Sequence, residues 1–385
     1  MVAAESVTTR QKASDDTKLH TKEQTQQEVM RYLDACTSLA RCLHVCPVYK
    51  QTMTIEQLNE ATRTGKAVPT IVKEFVWNCM QCGKCVTVCP VKVRRDVMVR
   101  SLKHQLREEK PWSYRRYLLI RGPNLPWLRR FIQWLYVVSK KISQRDLARF
   151  MEVRPIKPAE VLFYPGCYLY SDETVRQTLR LLDHIGCSYT VLGGMSTCCG
   201  MPHLLQGESD QADDCMRLLH EDIARVHPRT IITACAECHE AVVRIKAAYG
   251  EQYEVLSVIE YLVRHQDKFP KVKVTRDIVV HDSCRFSSRT PAGKAAQQAA
   301  DAFGTLVTPS SPHETPCCSH WNHDQDPNNT RRRLAYLEEI RSAAPLLACT
   351  CLTCYEEFKK LDTDINVIDI IHLYIDALDT TKEDQ

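Results

Sequence analysis

A frame of five cysteines occurs twice in the second part of the chain, and a duplication of that kind dictates how the fold is assembled. Cys167, the pair Cys198-Cys199 and Cys235-Ala-Glu-Cys238 return as Cys284, the pair Cys317-Cys318 and Cys351-Leu-Thr-Cys354, at offsets of 117, 119 and 116 residues. An apolar segment after each set returns as well, Val255-Leu256-Ser257-Val258-Ile259 against Val367-Ile368-Asp369-Ile370-Ile371 at an offset of 112, and reads as a helix start. Five cysteines in one order at near-constant spacing identify residues 158–265 and 274–378 as duplicated halves. Val161-Leu162-Phe163-Tyr164, Thr230-Ile231-Ile232-Thr233 and Asp277-Ile278-Val279-Val280 suit buried parallel strands, with helical segments such as Glu173 to Ile185 between them. Each half is therefore expected to be α/β, with its cysteines at strand ends and loop tips, where open sheets place ligands.

The chain has 20 cysteines in 385 residues. That density is low for a secreted disulfide scaffold and high for apolar filler, so the thiols call for a chemical role. The N-terminus lacks the apolar stretch of a signal peptide, and no run reaches about 18 apolar residues, so a reducing cytoplasm without a membrane span is expected. The net charge of +4 conceals a division: Lys92 to Lys157 holds 18 Lys and Arg against 5 Asp and Glu, and the remainder is acidic. Residues 1–27 read as a polar flexible arm, 28–110 as a small domain with seven cysteines, and 111–157 as a basic connector. The two halves then take 158–270 and 271–385.

Cys79-Met-Gln-Cys82-Gly-Lys-Cys85-Val-Thr-Val-Cys89-Pro90 is C-x2-C-x2-C-x3-C-P, the run with which bacterial ferredoxins bind clusters, the fourth cysteine serving the other cluster. Cys36-Thr-Ser-Leu39-Ala-Arg-Cys42-Leu-His-Val-Cys46-Pro47 repeats the frame with Leu39 at the second cysteine's place. Exchanging the fourth cysteines gives a complete set, Cys79, Cys82, Cys85 and Cys46, for a [4Fe-4S] cubane. It leaves Cys36, Cys42 and Cys89 for a [3Fe-4S] cluster. The second set is similar to the three-iron motif of succinate dehydrogenase and fumarate reductase iron-sulfur subunits. A [4Fe-4S] cluster completed by another ligand such as His44, or an empty site, also satisfies the spacing.

In the duplicated halves, adjacent cysteines and five sulfurs exceed the needs of a tetrahedral zinc and suit a cluster of several irons. The frame resembles the cysteine-rich CCG domain of heterodisulfide reductases. With the ferredoxin-type domain in front, residues 30–375 resemble the catalytic iron-sulfur subunit of those enzymes, and the chain is also similar to iron-sulfur subunits of anaerobic glycerol-3-phosphate dehydrogenase and glycolate oxidase. The resemblance implies an α+β and α/β architecture, a helical dicluster domain followed by two CCG domains. It implies two noncubane [4Fe-4S] clusters, one on Cys167, Cys198, Cys199, Cys235 and Cys238 and one on Cys284, Cys317, Cys318, Cys351 and Cys354. It further implies a disulfide split between the clusters. Two departures fall in the second copy, where Ser319 replaces the glycine after the cysteine pair and Asp282-Ser283 precedes Cys284.

Cys187, Cys215 and Cys349 are left over and read as ordinary buried thiols, Cys349 being near enough to Cys351 to substitute as a ligand. Of the histidines beside the cysteines (His203, His239, His281 and His320), His281 and His203 are the candidates for protonating a product sulfur. Residues 125–141 of the connector alternate aromatic and aliphatic residues at helical spacing with basic ones. That pattern suits an anionic bilayer surface, a membrane partner, or packing on the protein itself. No G-x-G-x-x-G follows a strand, so a flavoprotein or quinone-reactive membrane subunit is the expected electron partner, and nucleic acid is not. Three functions are compatible with these features: a redox subunit acting on a disulfide, a relay and docking subunit for a flavin dehydrogenase, and a zinc-stabilised interaction module.

Overall fold

In the computed structural model of the chain, the described residues are 21–46, 48–49, 52–79, 81–109, 157–166, 172–193, 197–271, 276–288, 290–308, 316–318, 327–361 and 364–383. Residues 1–20 of the expected arm, residues 125–141 of the connector, Cys167, Ser319 and His320 lie outside them.

The first described region is helical. α1 (Thr21–Ala35), α2 (Arg41–His44), α3 (Ile55–Thr64), α4 (Thr70–Asn78), α5 (Lys84–Thr87) and α6 (Arg95–Gln105) follow one another. α1 begins within the segment expected to be an arm, because Val29 and Leu33 lie one helical turn apart and bury against Val93, Val97 and Met98. α3 shows how local sequence fixes an element. Thr54 and Gln57 form a reciprocal capping box, Ile55, Leu58 and Ala61 supply the buried face, and Gly65 ends the helix at φ 62°. Leu43, Leu58, Val72, Val76, Val99 and Leu102 close this small core.

The remainder is a duplicated α/β structure. β1 (Val161–Gly166), α7 (Asp172–Ile185), β2 (Tyr189–Gly193), α8 (Met201–Leu205), α9 (Ser209–Val226), β3 (Thr230–Thr233), α10 (Ala236–Tyr249), β4 (Glu254–Ser257) and α11 (Val258–Arg264) form the first copy. β5 (Asp277–Val280), α12 (Pro291–Phe303), β6 (Thr305–Leu306), α13 (Pro327–Ala343), β7 (Leu346–Cys349), α14 (Leu352–Lys359), β8 (Asn366–Asp369) and α15 (His372–Glu383) form the second. The sheets are parallel, with the orders β2-β1-β3-β4 and β6-β5-β7-β8, so the topology repeats with the cysteines. β1 is buried along its whole length, as a parallel strand covered on both faces must be.

The expected helix starts at 255–259 and 367–371 are corrected in part by the structure. Val255–Ser257 belong to strand β4 and Val258-Ile259 open helix α11, whereas Val367–Asp369 belong to strand β8 and Ile370-Ile371 form the turn before α15. Ser257 makes the break in the first copy, its side chain accepting from the Glu260 backbone while Glu260 returns to the Ser257 backbone.

The copies face each other across a pseudo-twofold seam. α11 packs on α12 and α7 on α15, and one apolar core runs through both sheets, including Leu181, Leu182, Ile259, Ala296, Ala300 and Tyr374. Burying each large side chain there contributes about 1.5–3 kcal/mol, so the two copies stabilise one another rather than folding as separate beads. Arg180 on α7 and Asp379 on α15 form an ion pair across the same junction.

Candidate metal centres

The two ferredoxin-type loops share one backbone path despite their different residues. Ser38 and Ala40 in the first loop, and Gln81 and Gly83 in the second, all take positive φ of 53°, 55°, 52° and 76°. Three of those four are not glycine, and each left-handed residue costs about 1–2 kcal/mol, a cost that the surrounding structure must offset. Each loop leads into a single helical turn, α2 or α5.

The loops enclose two hollows. Cys36, Cys42, Cys89 and Leu39 line one, and Cys42, Cys46, Cys79, Cys82 and Cys85 line the other, so both proline-linked cysteines reach across to the opposite loop. Leu39 sits at the rim of the first hollow, 56% exposed. The thiols differ in setting. Burial raises Cys79 to about 11, raises Cys46 and Cys85 further, and their neighbouring sulfurs add to it. Burial also acts on Cys36, but the Ser38 backbone N–H, Asn59 and Arg95 outweigh it and lower its pKa; Asn59 Nδ2 and Arg95 Nη2 stand 3.5 and 3.4 Å from its sulfur. Arg95 lines both hollows.

In the duplicated part, Cys235 follows β3 and Cys351 follows β7, and each stands as the cap residue before its helix. The C-x2-C loops lie face to face, tied by a Leu352 N–H donating to the Ala234 carbonyl at 3.1 Å. Side-chain contacts then run continuously through Cys199, Cys238, Cys235, Cys351, Cys354, Cys318, Cys317 and Cys284. Cys198 is buried beside Cys199. Gly166, at φ 90°, marks where Cys167 follows: a Cβ there would lie 2.6 Å from the Cys238 sulfur. Ser283 holds the matching place in the second copy, 4.0 Å from the Cys354 sulfur. The 19 cysteines among the described residues are all free thiols.

The ferredoxin-type and duplicated parts meet beside these sulfurs. Gln81 Nε2 and Lys103 Nζ donate to the Leu205 carbonyl at 2.6 and 3.3 Å, and Lys103 also reaches the Cys79 carbonyl at 3.2 Å. Cys82 and Cys284 line the same two cavities, of about 320 and 670 Å³. Around the larger cavity, Arg94 holds Asp96 at 2.8 and 2.9 Å, Arg244 holds Glu240 at 2.7 Å, and Arg285 bridges to Glu240. Burial opposes ionisation of Glu240, but Arg285, Arg244 and Arg100 hold its pKa at about 2. Arg100 is buried nearby, and burial together with Arg244 lowers its pKa to about 10. This nest suits anionic, thiolate-bound iron-sulfur clusters, whose charge it offsets, and eight sulfurs in unbroken contact exceed a four-coordinate zinc.

The structure separates the candidate histidines. His281 is 1% exposed and lines the smaller cavity; its Nδ1 faces the Tyr336 hydroxyl at 3.3 Å, and its Nε2 has no hydrogen-bond partner among the described residues. Burial, aided by Lys84, holds it neutral, with a pKa of about 3. His203 is instead engaged with Glu208 at 3.0 Å, in the turn after the first cysteine pair. His239 lines the larger cavity and pairs with Thr233 Oγ1 at 3.1 Å. Cys215 and Cys349 are buried and Cys187 is half-buried. Asn59, Lys103, Glu237 and Arg285 were not singled out from the sequence; the one available signal was a charged residue within or directly after a cysteine motif, as for Glu237 and Arg285.

Residues 32–93 match the family described as the 4Fe-4S dicluster domain, and residues 161–242 match the cysteine-rich domain CCG. The chain carries a dicluster domain and a CCG domain. Relatives are similar over about two thirds of it. An uncharacterised iron-sulfur protein of Methanocaldococcus jannaschii is 25% identical over 278 residues, 67% of this chain and 53% of that one. One of the subunits of fumarate reductase (CoM/CoB) of Methanothermobacter marburgensis is 24% identical over 270 residues, 66% and 51%. One of the subunits of dihydromethanophenazine:CoB–CoM heterodisulfide reductase of Methanosarcina mazei is 24% identical over 310 residues, 69% and 71%. The chain spans about half the length of the first two. Iron-sulfur cluster binding is common to both matched domains, and the second copy repeats the sheet order and the cysteine frame of the copy that contains the matched CCG region. Among the described residues, no helix is long and apolar enough to cross a membrane.

Proposed function

We propose that the chain is the iron-sulfur subunit of a heterodisulfide-reductase-like complex, passing electrons from its ferredoxin-type sites to a two-electron site at the seam of the CCG copies. The observation that carries this reading is the unbroken run of sulfurs across the seam, with Cys82 of the dicluster domain facing Cys284 at one end. In this reading Cys36, Cys42 and Cys89 hold a [3Fe-4S] cluster, Cys46, Cys79, Cys82 and Cys85 a [4Fe-4S] cubane, and the two five-cysteine frames noncubane [4Fe-4S] clusters. When bound, these clusters supply one-electron redox chemistry and thiophilic iron. The net reaction is R–S–S–R′ + 2 e⁻ + 2 H⁺ → RSH + R′SH, with electrons from a partner redox protein and protons from water. The chain's own residues bind and order the sites: Arg95, Lys103 and the Arg94/Arg100/Arg244/Arg285 nest offset negative charge, and helices α10 and α14 fix Cys235 and Cys351 at their N-terminal cap positions. His281 lines the cavity beside Cys284, where a neutral imidazole can hydrogen-bond a product thiol. His203, turned to Glu208, serves the loop instead.

A cytoplasmic place, peripheral to a membrane through residues 125–141, and a flavoprotein or quinone-reactive partner belong to the same proposal. A second reading is favoured by the relatives' description as subunits: the chain then relays electrons for a separate flavin dehydrogenase and has no small-molecule substrate. Turnover of a disulfide by the purified, cluster-loaded chain with reduced viologen separates the two. The first reading expects turnover that falls at least about a hundredfold in Cys351→Ser; the second expects rapid viologen oxidation by partner protein and none by disulfide.

A further inference from the structure

The ferredoxin-type part repeats itself, and its two ends meet different surroundings. Cys36, Cys42 and Cys46 return as Cys79, Cys85 and Cys89 at a constant offset of 43 residues, and the helical turns that follow the two loops, α2 and α5, pack on one another. At the end of Cys79, Cys82 and Cys85 the chain covers its own surface. Gln81 is buried and donates to the Leu205 carbonyl at 2.6 Å, Val48 is buried, and Lys84 shares a cavity with Asp282 and Cys284.

At the end of Cys36, Cys42 and Cys89 the counterparts are open. Ser38 and Arg41, which correspond to Gln81 and Lys84, are exposed. Leu39, which corresponds to Cys82, is 56% exposed, and Val91, which corresponds to Val48, is 45% exposed. Among the described residues these are the two most exposed large apolar side chains, and both stand on the rim of one hollow. Lys92, exposed beside Val91, takes φ 55°, while its counterpart Tyr49 stays out of that region and donates to the Met53 carbonyl at 3.0 Å. Left-handed strain of about 1–2 kcal/mol is thus accepted at the open end alone, and such strain recurs at functional sites.

Resting on the cluster reading above, we propose that this open end is the docking surface for a separate one-electron carrier protein, with acidic residues around its own redox centre, and that electrons enter the chain there. The surface has an apolar centre, Leu39 and Val91, and a basic rim, Arg41 and Lys92, which steers an acidic partner. The covered end shows what such a rim accepts, since Lys84 there shares its cavity with the Asp282 carboxylate and the Cys284 sulfur. The carrier takes at the Leu39 end the place that the second α/β copy takes at the Cys82 end. Each docking event oxidises the carrier by one electron and reduces the three-cysteine site by one, and two events supply the pair that a disulfide takes up.

The test uses the full-length, anaerobically loaded chain and reduced flavodoxin, an acidic one-electron carrier protein, in stopped-flow measurements of cluster bleaching. The bimolecular rate is expected to fall at least about tenfold as salt rises from about 50 to about 300 mM. Arg41→Glu/Lys92→Glu and Val91→Glu are each expected to slow it about tenfold or more, whereas Arg225→Glu, an exposed change on α9, leaves it unaltered. Reduction by dithionite, a small reductant that needs no docking, is expected to stay within about twofold in every variant at equal iron and sulfide content. Equal slowing by Arg225→Glu, or flavodoxin rates indifferent to salt and to the rim variants, overturns the docking surface and leaves the cluster reading intact. So does slowing of dithionite and flavodoxin alike. Sedimentation with phosphatidylglycerol vesicles that Val91→Glu abolishes, at unchanged flavodoxin rates, assigns the patch to a bilayer and overturns the proposal as well. A sample without iron and sulfide, which neither reductant bleaches, overturns both readings.

Discussion

The two α/β copies share a topology and a cysteine frame, yet they solve the support of those cysteines in opposite ways. The first copy has uncharged residues at three positions that support its sulfurs. Gly200, at φ 78°, lets the turn after the cysteine pair lie against the Ala212 carbonyl and Cys215, Ala241 fills the helix behind Cys238, and Ser257 caps the strand-helix junction. The second copy buries charge at the counterparts of two of these positions. Arg333 donates to the Cys318 carbonyl at 3.1 Å and faces Glu357, which takes Ala241's position and is held by Lys360 at 2.7 Å, while Asp369 takes the position of Ser257. A duplicated fold can therefore keep its ligand geometry while one copy uses close backbone packing and the other a compensated charge set. The cost of the second solution is that each charge depends on its partner.

The largest expected effect comes from moving one charge between copies. Ala241→Glu places a carboxylate in an apolar setting among Leu204, Met216 and Ile245, and a loss of about 4 kcal/mol or more in chemical denaturation is expected. Glu357→Ala, which strips Arg333 of its counter-charge, should cost about 3–5 kcal/mol, and the double variant Glu357→Leu/Arg333→Met should recover most of it. If the single and double variants lose the same amount, the charges are not coupled.

Asp369 gives the comparison a pH dependence. Burial raises its carboxyl to about 6 against an ordinary 3.8, with His372 and the Ile371 N–H offsetting part of the effect. The folded chain thus holds an extra proton between about pH 4 and 6, and this contribution to stability is present at acid pH and lost as pH rises through 6. Asp369→Asn is expected to stabilise the protein by about 2–3 kcal/mol at pH 8, and by nothing at pH 4. A gain independent of pH, followed by thermal unfolding across that range, would assign the effect to something other than this carboxyl.

Smaller again is Gly200→Ser, which gives the first copy the second copy's residue. A Cβ there meets the Ala212 carbonyl at 2.6 Å in a left-handed conformation, and about 2 kcal/mol of destabilisation is expected. The smallest effect belongs to Ser283→Ala. Loss of one hydroxyl beside Cys354 should lower one cluster's midpoint potential by on the order of 40 mV, the equivalent of about 1 kcal/mol for a hydrogen bond, read by EPR-monitored titration.

Much of the fold could be read from the sequence because the signals are local. β3 and β5 coincide with the apolar runs Thr230–Thr233 and Asp277–Val280, and β1 with Val161–Tyr164 extended by two residues. The run at 255–259 was ambiguous because its four apolar residues fit a buried strand and a helix turn alike. The decisive signal lay inside it, since Ser257-Val-Ile-Glu260 has the capping-box spacing. The exchange of Cys46 and Cys89 between loops is expected from the C-P endings; in the structure Cys89 lines the hollow of Cys36 and Cys42, and Cys46 that of Cys79, Cys82 and Cys85. What the sequence could not convey is how the copies meet. The approach of Cys235 to Cys351, and of Arg285 to Glu237 and Glu240, depends on the pseudo-twofold docking of α7, α11, α12 and α15, which no single segment encodes.

The central claim is that these sulfurs hold iron and sulfide, and the most direct test is the iron and acid-labile sulfide content of the chain purified without oxygen. The account predicts about 15 iron and 16 sulfide per chain, for one three-iron and three four-iron clusters, in a brown sample free of stoichiometric zinc. A colourless protein containing zinc and no sulfide would contradict it.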